Sequence, residues 1–281
     1  MDQALTDDVA LGCRQQLVDD GYTVIPGVMP ADLLDDLCVW SQEIFDRLPV
    51  APKFRFQGSD IHVATPRSWP ADRRADERRL ADPIVERIID QPQQLDVCRS
   101  IGLEDLRAHE SVILLSKPAF GPPLYWHQDY MNWNSPAAAT PWPTRIFLSY
   151  YMTDTNRENG CLRVIPGTHR RRIDLHDILP NAHEPEIQAL DNFSHPAFLD
   201  RDDAIDVPMR AGDLVIGDAR LIHGAWPNQT DQRRTLILAW HDVFRFPQPP
   251  SWWTDEIPEV VRSAESEASY EPTRRPGRHL A

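Results

Sequence analysis

The sequence predicts a mainly β protein with flanking α-helices, a jelly roll or β-sandwich rather than a parallel α/β sheet. Three observations predict it. Helical periodicity is concentrated before residue 105. After it come short apolar or alternating runs punctuated by Gly, Pro, Asn and Asp turns. The chain also carries 26 prolines against 12 glycines, a load that favours turns and short strands over long helices.

Thr6 is placed to cap a first helix with an apolar stripe of Val9, Cys13 and Leu17, and Gly21 sits where a C-terminal stop belongs. Pro30 starts a second helix with Leu33, Leu34, Leu37, Ile44, Phe45 and Leu48 inward, ended by Pro49. Pro83–Asp90 and Leu95–Ser100 read as two shorter helices. Strands are expected at Ser111–Ser116, Ile146–Met152, Leu162–Ile165, Ala204–Pro208, Leu214–Ile216 and Leu236–Trp240. Thr235–Trp240 is almost continuously apolar, the pattern of a strand buried on both faces. With no internal repeat, residues 1–281 read as one domain: helices over about 6–105, a jelly-roll core over about 106–246, and a polar tail over about 263–281. Arg67–Arg79 reads as a charged loop and residues 174–206 as a long insertion near the site.

Composition narrows the function. The 281 residues are 41% hydrophobic and 26% charged, as in a folded globular chain. Lys+Arg 29 against Asp+Glu 43 gives a net charge of −14, which argues against a nucleic-acid partner because phosphate neutralisation needs a basic face. No apolar run is long enough for a membrane span, and the acidic start lacks signal-peptide character. Cys13, Cys38, Cys98 and Cys161 are scattered without a CxxC pair, so the expectation is a cytoplasmic protein with reduced thiols. Oligomeric state stays open between monomer and weak homodimer.

Most of the ten histidines stand in polar or loop-like surroundings that ask for no function. His127 differs, because it lies in Tyr125-Trp126-His127-Gln128-Asp129-Tyr130. On a strand, residues i and i+2 share a face, so His127 and Asp129 would present an imidazole and a carboxylate together. That is two-thirds of the 2-His-1-carboxylate triad of non-haem Fe(II) oxygenases. His223, in Leu221-Ile222-His223-Gly224 after a turn and a strand, is the candidate third ligand at a sheet edge, with Gly224 leaving space behind it. Three protein ligands leave positions open for a chelating cosubstrate and O2, unlike a closed structural site. Arg233 and Arg234 precede the buried strand, where a guanidinium could clamp a carboxylate; a surface arginine pair is the plain alternative.

His127-Gln128-Asp129, then Asn159-Gly160-Cys161-Leu162-Arg163-Val164-Ile165-Pro166-Gly167-Thr168-His169-Arg170, then His223-Gly224 and Arg234 resemble the phytanoyl-CoA dioxygenase family, as does the early Asp20-Gly21-Tyr22-Thr23-Val24-Ile25-Pro26-Gly27-Val28. The parts occur in order over about residues 10 to 245. The resemblance implies a double-stranded β-helix (jelly roll, cupin-like), Fe(II), 2-oxoglutarate as cosubstrate, and O2. It implies His127, Asp129 and His223 as iron ligands, and Arg234, eleven residues after His223, as the partner of the distal 2-oxoglutarate carboxylate, with Arg233 if the register slips. It also puts Gln128 and Lys117 near the cosubstrate. The family often has Ser after His-Gly where this chain has Ala225, so Thr235 is the substitute donor. Asp129 disfavours the iron halogenases of this fold, which need a small residue there.

The implied activity is hydroxylation of an aliphatic carbon of a small-molecule metabolite, with release of succinate and CO2. Tyr130, Trp133 and Trp142 follow the HxD motif and are candidates to line the substrate pocket, with ordinary packing as the alternative. Arg145 is a candidate for a substrate anion. His169 and Arg170-Arg171-Arg172 read as a structural turn and a solvated cluster. Two other classes stay open: a catalytically silent jelly-roll binding protein, and a Zn- or Mn-dependent cupin-like hydrolase or isomerase.

Overall fold

The computed structural model describes residues 5–48, 55–56, 59–68, 79–179, 193–266, 268–273, 275–277 and 279–280. Helices α1 (Asp7–Asp20) and α2 (Ala31–Arg47) flank strand β1 (Tyr22–Ile25). Strands β2 (Arg55–Phe56), β3 (Ser59–Thr65) and β4 (Arg79–Ala81) follow, then α3 (Ile84–Ile89) and α4 (Pro92–Ser100). The β-rich part comprises β5 (Arg107–Lys117), β6 (Leu124–His127), β7 (Arg145–Tyr151) and β8 (Leu162–Val164). After the single turn α5 (Leu175–Ile178) come β9 (Ile205–Val207), β10 (Leu214–Asp218), β11 (His223–Ala225), β12 (Arg234–Asp242) and the short α6 (Glu259–Arg262).

Two sheets result. The larger runs β1-β10-β7-β12-β5-β3-β2, with β4 paired parallel to β3; the smaller runs β6-β11-β8-β9 with antiparallel pairings. Side chains from both sheets line one cavity, so the sheets face each other as in a jelly roll.

Strand β12 shows how the sequence builds two layers. Leu236, Leu238 and Trp240 point toward the smaller sheet, while Ile237 and Ala239 join the core under the helices. That outer core gathers Leu17, Leu37, Val85 and Val97 from α1 to α4 against Val112, Leu114 and Ile216 of the strands. Each such aliphatic side chain contributes about 1.5–3 kcal/mol by leaving water.

Most expected elements exist with shifted ends. β5 extends to Arg107–Lys117 and α4 begins three residues early, at Pro92, which fixes φ for a first helical turn. The stripe of α1 is corrected: Val9 is 51% exposed, and the buried face is Ala10, Leu17 and Val18. Ala10 and Leu17 are two turns apart and meet the sheet, which rotates Val9 out. Thr6 occupies the cap position without a side-chain cap bond, whereas Gly21 takes the left-handed φ of 87° expected of a helix stop. Leu48 is exposed rather than inward, and Pro49 lies outside the described residues. Residues 69–78 of the charged loop and 180–192 of the insertion also lie outside them.

Candidate metal centre and its cavity

Strands β6 and β11 are neighbours in the smaller sheet, and His127 and His223 are direct register partners. Their rings lie 4.2 Å apart between centroids, tilted by 47°. Gly224 permits this pairing, since a Cβ there would come within 2.9 Å of the Leu124 carbonyl oxygen. His223 therefore sits inside the small sheet, between β6 and β8, and not at an edge: β10 belongs to the other sheet, and a turn carries the chain across.

Asp129 lies beyond the end of β6, so strand alternation does not place it. The chain is turned inward because the Asp129 and Tyr130 amides both donate to the Ala219 carbonyl, at 2.9 and 2.8 Å. One ligand atom from each of His127, Asp129 and His223 falls within a mutual 4.8 Å. His127 Nε2 is 3.6 Å from Asp129 Oδ1, and His223 Nε2 is 3.7 Å from Oδ2.

The tautomers follow from the hydrogen bonds. His127 Nδ1 meets the Tyr125 carbonyl at 2.9 Å and His223 Nδ1 meets the Leu221 carbonyl at 3.0 Å. A carbonyl only accepts, so each Nδ1 carries a proton, and in the neutral imidazole the Nε2 lone pair then faces Asp129. Two imidazole Nε2 atoms converge with a carboxylate: a ligand set that suits a divalent cation with nitrogen and oxygen ligands.

The three residues open onto a cavity of about 260 Å³ between the sheets. Arg234, the first residue of β12, lines it while its neighbour Arg233 stacks over the Phe45 ring instead, 4.9 Å from its centroid. Arg234 is 2% exposed, and its Nε and Nη1 have no hydrogen-bond partner within the protein. A buried guanidinium with unused donors is costly unless an anion completes it. The same wall offers the hydroxyls of Ser149 and Tyr151, and the rest is mostly aliphatic.

Other sequence candidates fall elsewhere. Lys117 is fully buried beside Arg234, but its ammonium donates to the carbonyls of Pro122 and Trp226 at 2.7 and 2.8 Å, and it does not line the cavity. Burial, with the Arg234 charge adding, holds its pKa well below the usual lysine range. Gln128 points away: its amide donates to the Arg220 carbonyl and approaches His176. Thr235 faces the opposite side of β12 from Arg234, as alternation requires.

The substrate-pocket candidates are corrected. Trp133 and Trp142 are wholly buried in core clusters and Tyr130 packs against Trp133, so none of the three lines the cavity. Arg145 is paired with Asp242 at 2.8 Å. The segment after Asp129 folds down over a buried Arg220–Asp218 ion pair of 2.6 Å, whose guanidinium also donates to the Ala138, Thr140 and Trp142 carbonyls. That brace holds the Trp-rich segment as core. His169 is likewise structural, with Nε2 bonded to the Val18 carbonyl at 2.9 Å.

Sequence reasoning missed Trp240, Tyr151, Ser149 and Phe147 on the cavity wall. Alternation from Arg234 along β12 is the signal that leads to Trp240.

A family model described as Phytanoyl-CoA dioxygenase matches residues 17–236. An ectoine dioxygenase of Bordetella bronchiseptica is 24% identical over 206 residues, covering 69% of this chain and 65% of that protein, just under two thirds of its length. The solved epimerase SnoN, in complex with Fe3+, alpha ketoglutarate and nogalamycin RO, superposes with a TM-score of 0.60 at 17% identity over 89% of this chain and 93% of its own. EctD from S. alaskensis, with 2-oxoglutarate and 5-hydroxyectoine, gives a TM-score of 0.55 at 19% identity over 86% and 77%. At these identities the structural likeness establishes the jelly-roll fold.

Proposed function

This chain belongs to the phytanoyl-CoA dioxygenase family, and from that premise we propose that it is a non-haem Fe(II)- and 2-oxoglutarate-dependent dioxygenase hydroxylating an aliphatic carbon of a small molecule. The observation that carries the reading is one cavity joining an acceptor-only His–Asp–His cluster to a buried arginine with unused donors.

In this reading His127, Asp129 and His223 hold ferrous iron through Nε2, a carboxylate oxygen and Nε2. Arg234 receives the distal carboxylate of 2-oxoglutarate in a charge-assisted pair, worth more in a dry site than in water. The bound iron supplies the redox chemistry by which 2-oxoglutarate, O2 and R–H become succinate, CO2 and R–OH, one oxygen atom going to each organic product. The chain's own contribution is orientation and exclusion of water. Protonated Nδ1 atoms fix both imidazoles, and Leu236, Leu238 and Phe147 keep the cavity apolar. Among the described residues no helix is long and apolar enough to cross a membrane.

The test is conversion of 2-oxoglutarate to succinate by purified protein with Fe(II) and ascorbate, with mass-spectrometric search of a metabolite panel for a +16 product. Succinate that depends on both Fe(II) and an intact Arg234 is expected. No succinate under any condition rejects the oxygenase; a product of unchanged or −2 mass keeps it and rejects hydroxylation.

A further inference from the structure

We infer that the substrate presents a neutral, hydrocarbon-rich body to the metal rather than an ionised group; this rests on the oxygenase reading above. The polar groups of the cavity wall are few: the three metal-ligand candidates, Arg234, Ser149, Tyr151, and the Trp240 indole that is already bonded to Asp129. Metal and cosubstrate would engage the four charged or metal-binding groups. What remains is Ile61 and Val63 of β3, Ile113 and Leu115 of β5, and Leu236 and Leu238 of β12. Leu124 and Leu162 face them from the smaller sheet.

Nearby cations are committed elsewhere. Lys117 serves two carbonyls, Arg145 holds Asp242, and Arg163 is bonded to Asp200 and stacked on Trp226, 3.6 Å from the ring centroid. Among the described residues, then, the rest of the cavity wall offers no charge to meet a phosphate, a carboxylate or an ammonium. An ionised group placed there would lose its hydration without a partner, which is the costliest form of burial. A hydrocarbon body gains from the same wall in proportion to the area it covers. The cavity, about 260 Å³, lies below the roughly 300–1,000 Å³ of drug-sized sites, so that body is small.

Three probes of matched shape test this: cyclohexylmethanol, cyclohexanecarboxylate and cyclohexylmethylammonium. Each is titrated anaerobically into protein loaded with Fe(II) and 2-oxoglutarate, and tryptophan fluorescence is followed, because Trp240 lines the cavity. The alcohol is expected to bind about tenfold or more tightly than either ion, with the signal reduced in Trp240→Phe held at saturating Fe(II). Equal or tighter binding of an ion, or a signal unchanged in Trp240→Phe, overturns the inference. Succinate is then measured after air is admitted. The alcohol preferred but no succinate formed, with or without probe, rejects the oxygenase reading and leaves the wall's preference standing; succinate formed with an ion preferred rejects only the substrate class.

Discussion

Trp240 donates its indole Nε1–H to Oδ2 of Asp129 at 3.2 Å. The bond ties β12 of the larger sheet to the segment just beyond β6 of the smaller one, so the two layers meet at the candidate metal-ligand cluster. Oδ2 is the oxygen that faces His223, and Oδ1 faces His127. An indole anchored in a nine-residue strand thus sets the rotation of the carboxylate between two imidazoles.

Trp240→Phe keeps an aromatic ring and removes the donor. Partners of metal ligands of this kind are typically worth 10–100-fold in metal affinity. Fe(II) or Ni(II) affinity, measured by titration calorimetry, is expected to fall about tenfold while the melting temperature of the metal-free protein changes little. Unchanged affinity would show that Asp129 is oriented by other contacts.

Arg234 and Lys117 separate on a pair of substitutions. Arg234→Met removes the unused guanidinium donors, and hydrogen bonds to charged groups contribute about 1.5–3 kcal/mol, so the apparent KM for 2-oxoglutarate should rise by about 10- to 100-fold. Lys117→Met instead leaves the Pro122 and Trp226 carbonyls without their donor, a cost of about 1–3 kcal/mol in unfolding free energy. Its KM for 2-oxoglutarate should stay within about threefold of the parent, since that difference is under 1 kcal/mol. A large rise in KM for Lys117→Met would restore the lysine to the cosubstrate site.

Gly217 carries an ordinary negative-side backbone, yet a Cβ there would come within 2.1 Å of the Phe147 ring, which in turn lies 5.3 Å from the His223 ring. The glycine is what lets Phe147 press against the imidazole of a candidate metal ligand. Gly217→Ala should overpack this contact at a cost of about 1–3 kcal/mol, read as a lower denaturation midpoint. Metal affinity should drop with it, because the displaced ring moves toward His223. Loss of stability with full metal affinity would show that the core absorbs the methyl on the side away from His223.

The site was legible where chemistry demands particular residue types. HxD, a later His-Gly and an arginine before a buried strand name the cavity's polar residues, and the fold brings them together. The route was less legible. Asp129 reaches the site through two amides sharing the Ala219 carbonyl, a long-range contact that local alternation does not encode. Trp133 and Trp142 lie off the cavity wall: proximity to HxD along the chain says nothing about the Arg220–Asp218 brace that folds them into the core. Strands β1 and β3 were missed because pairing with β10 and β5, not their own pattern, makes them strands.

His169 is placed to weaken the fold as pH falls. Burial pushes its pKa down from 6.5 to about 4, with Asp218 opposing and Arg220 reinforcing the fall. Nε2 bonds the Val18 carbonyl, and Nδ1 is buried without a partner against Gly21, so a second proton on the ring would be stranded. Between pH 6.5 and 4 the unfolded chain binds more protons here than the folded one, so stability is present above the unfolded pKa and falls as pH drops through this window. From pH 7 to pH 5 the loss from this one group is about 2 kcal/mol. His169→Gln can keep an N–H donor for Val18 and does not titrate, so its unfolding free energy, measured in urea at both pH values, should fall by about 2 kcal/mol less than that of the parent over the same interval. Parallel declines in the two proteins would place the acid sensitivity in other groups, His176 first, whose pKa burial also lowers to about 4.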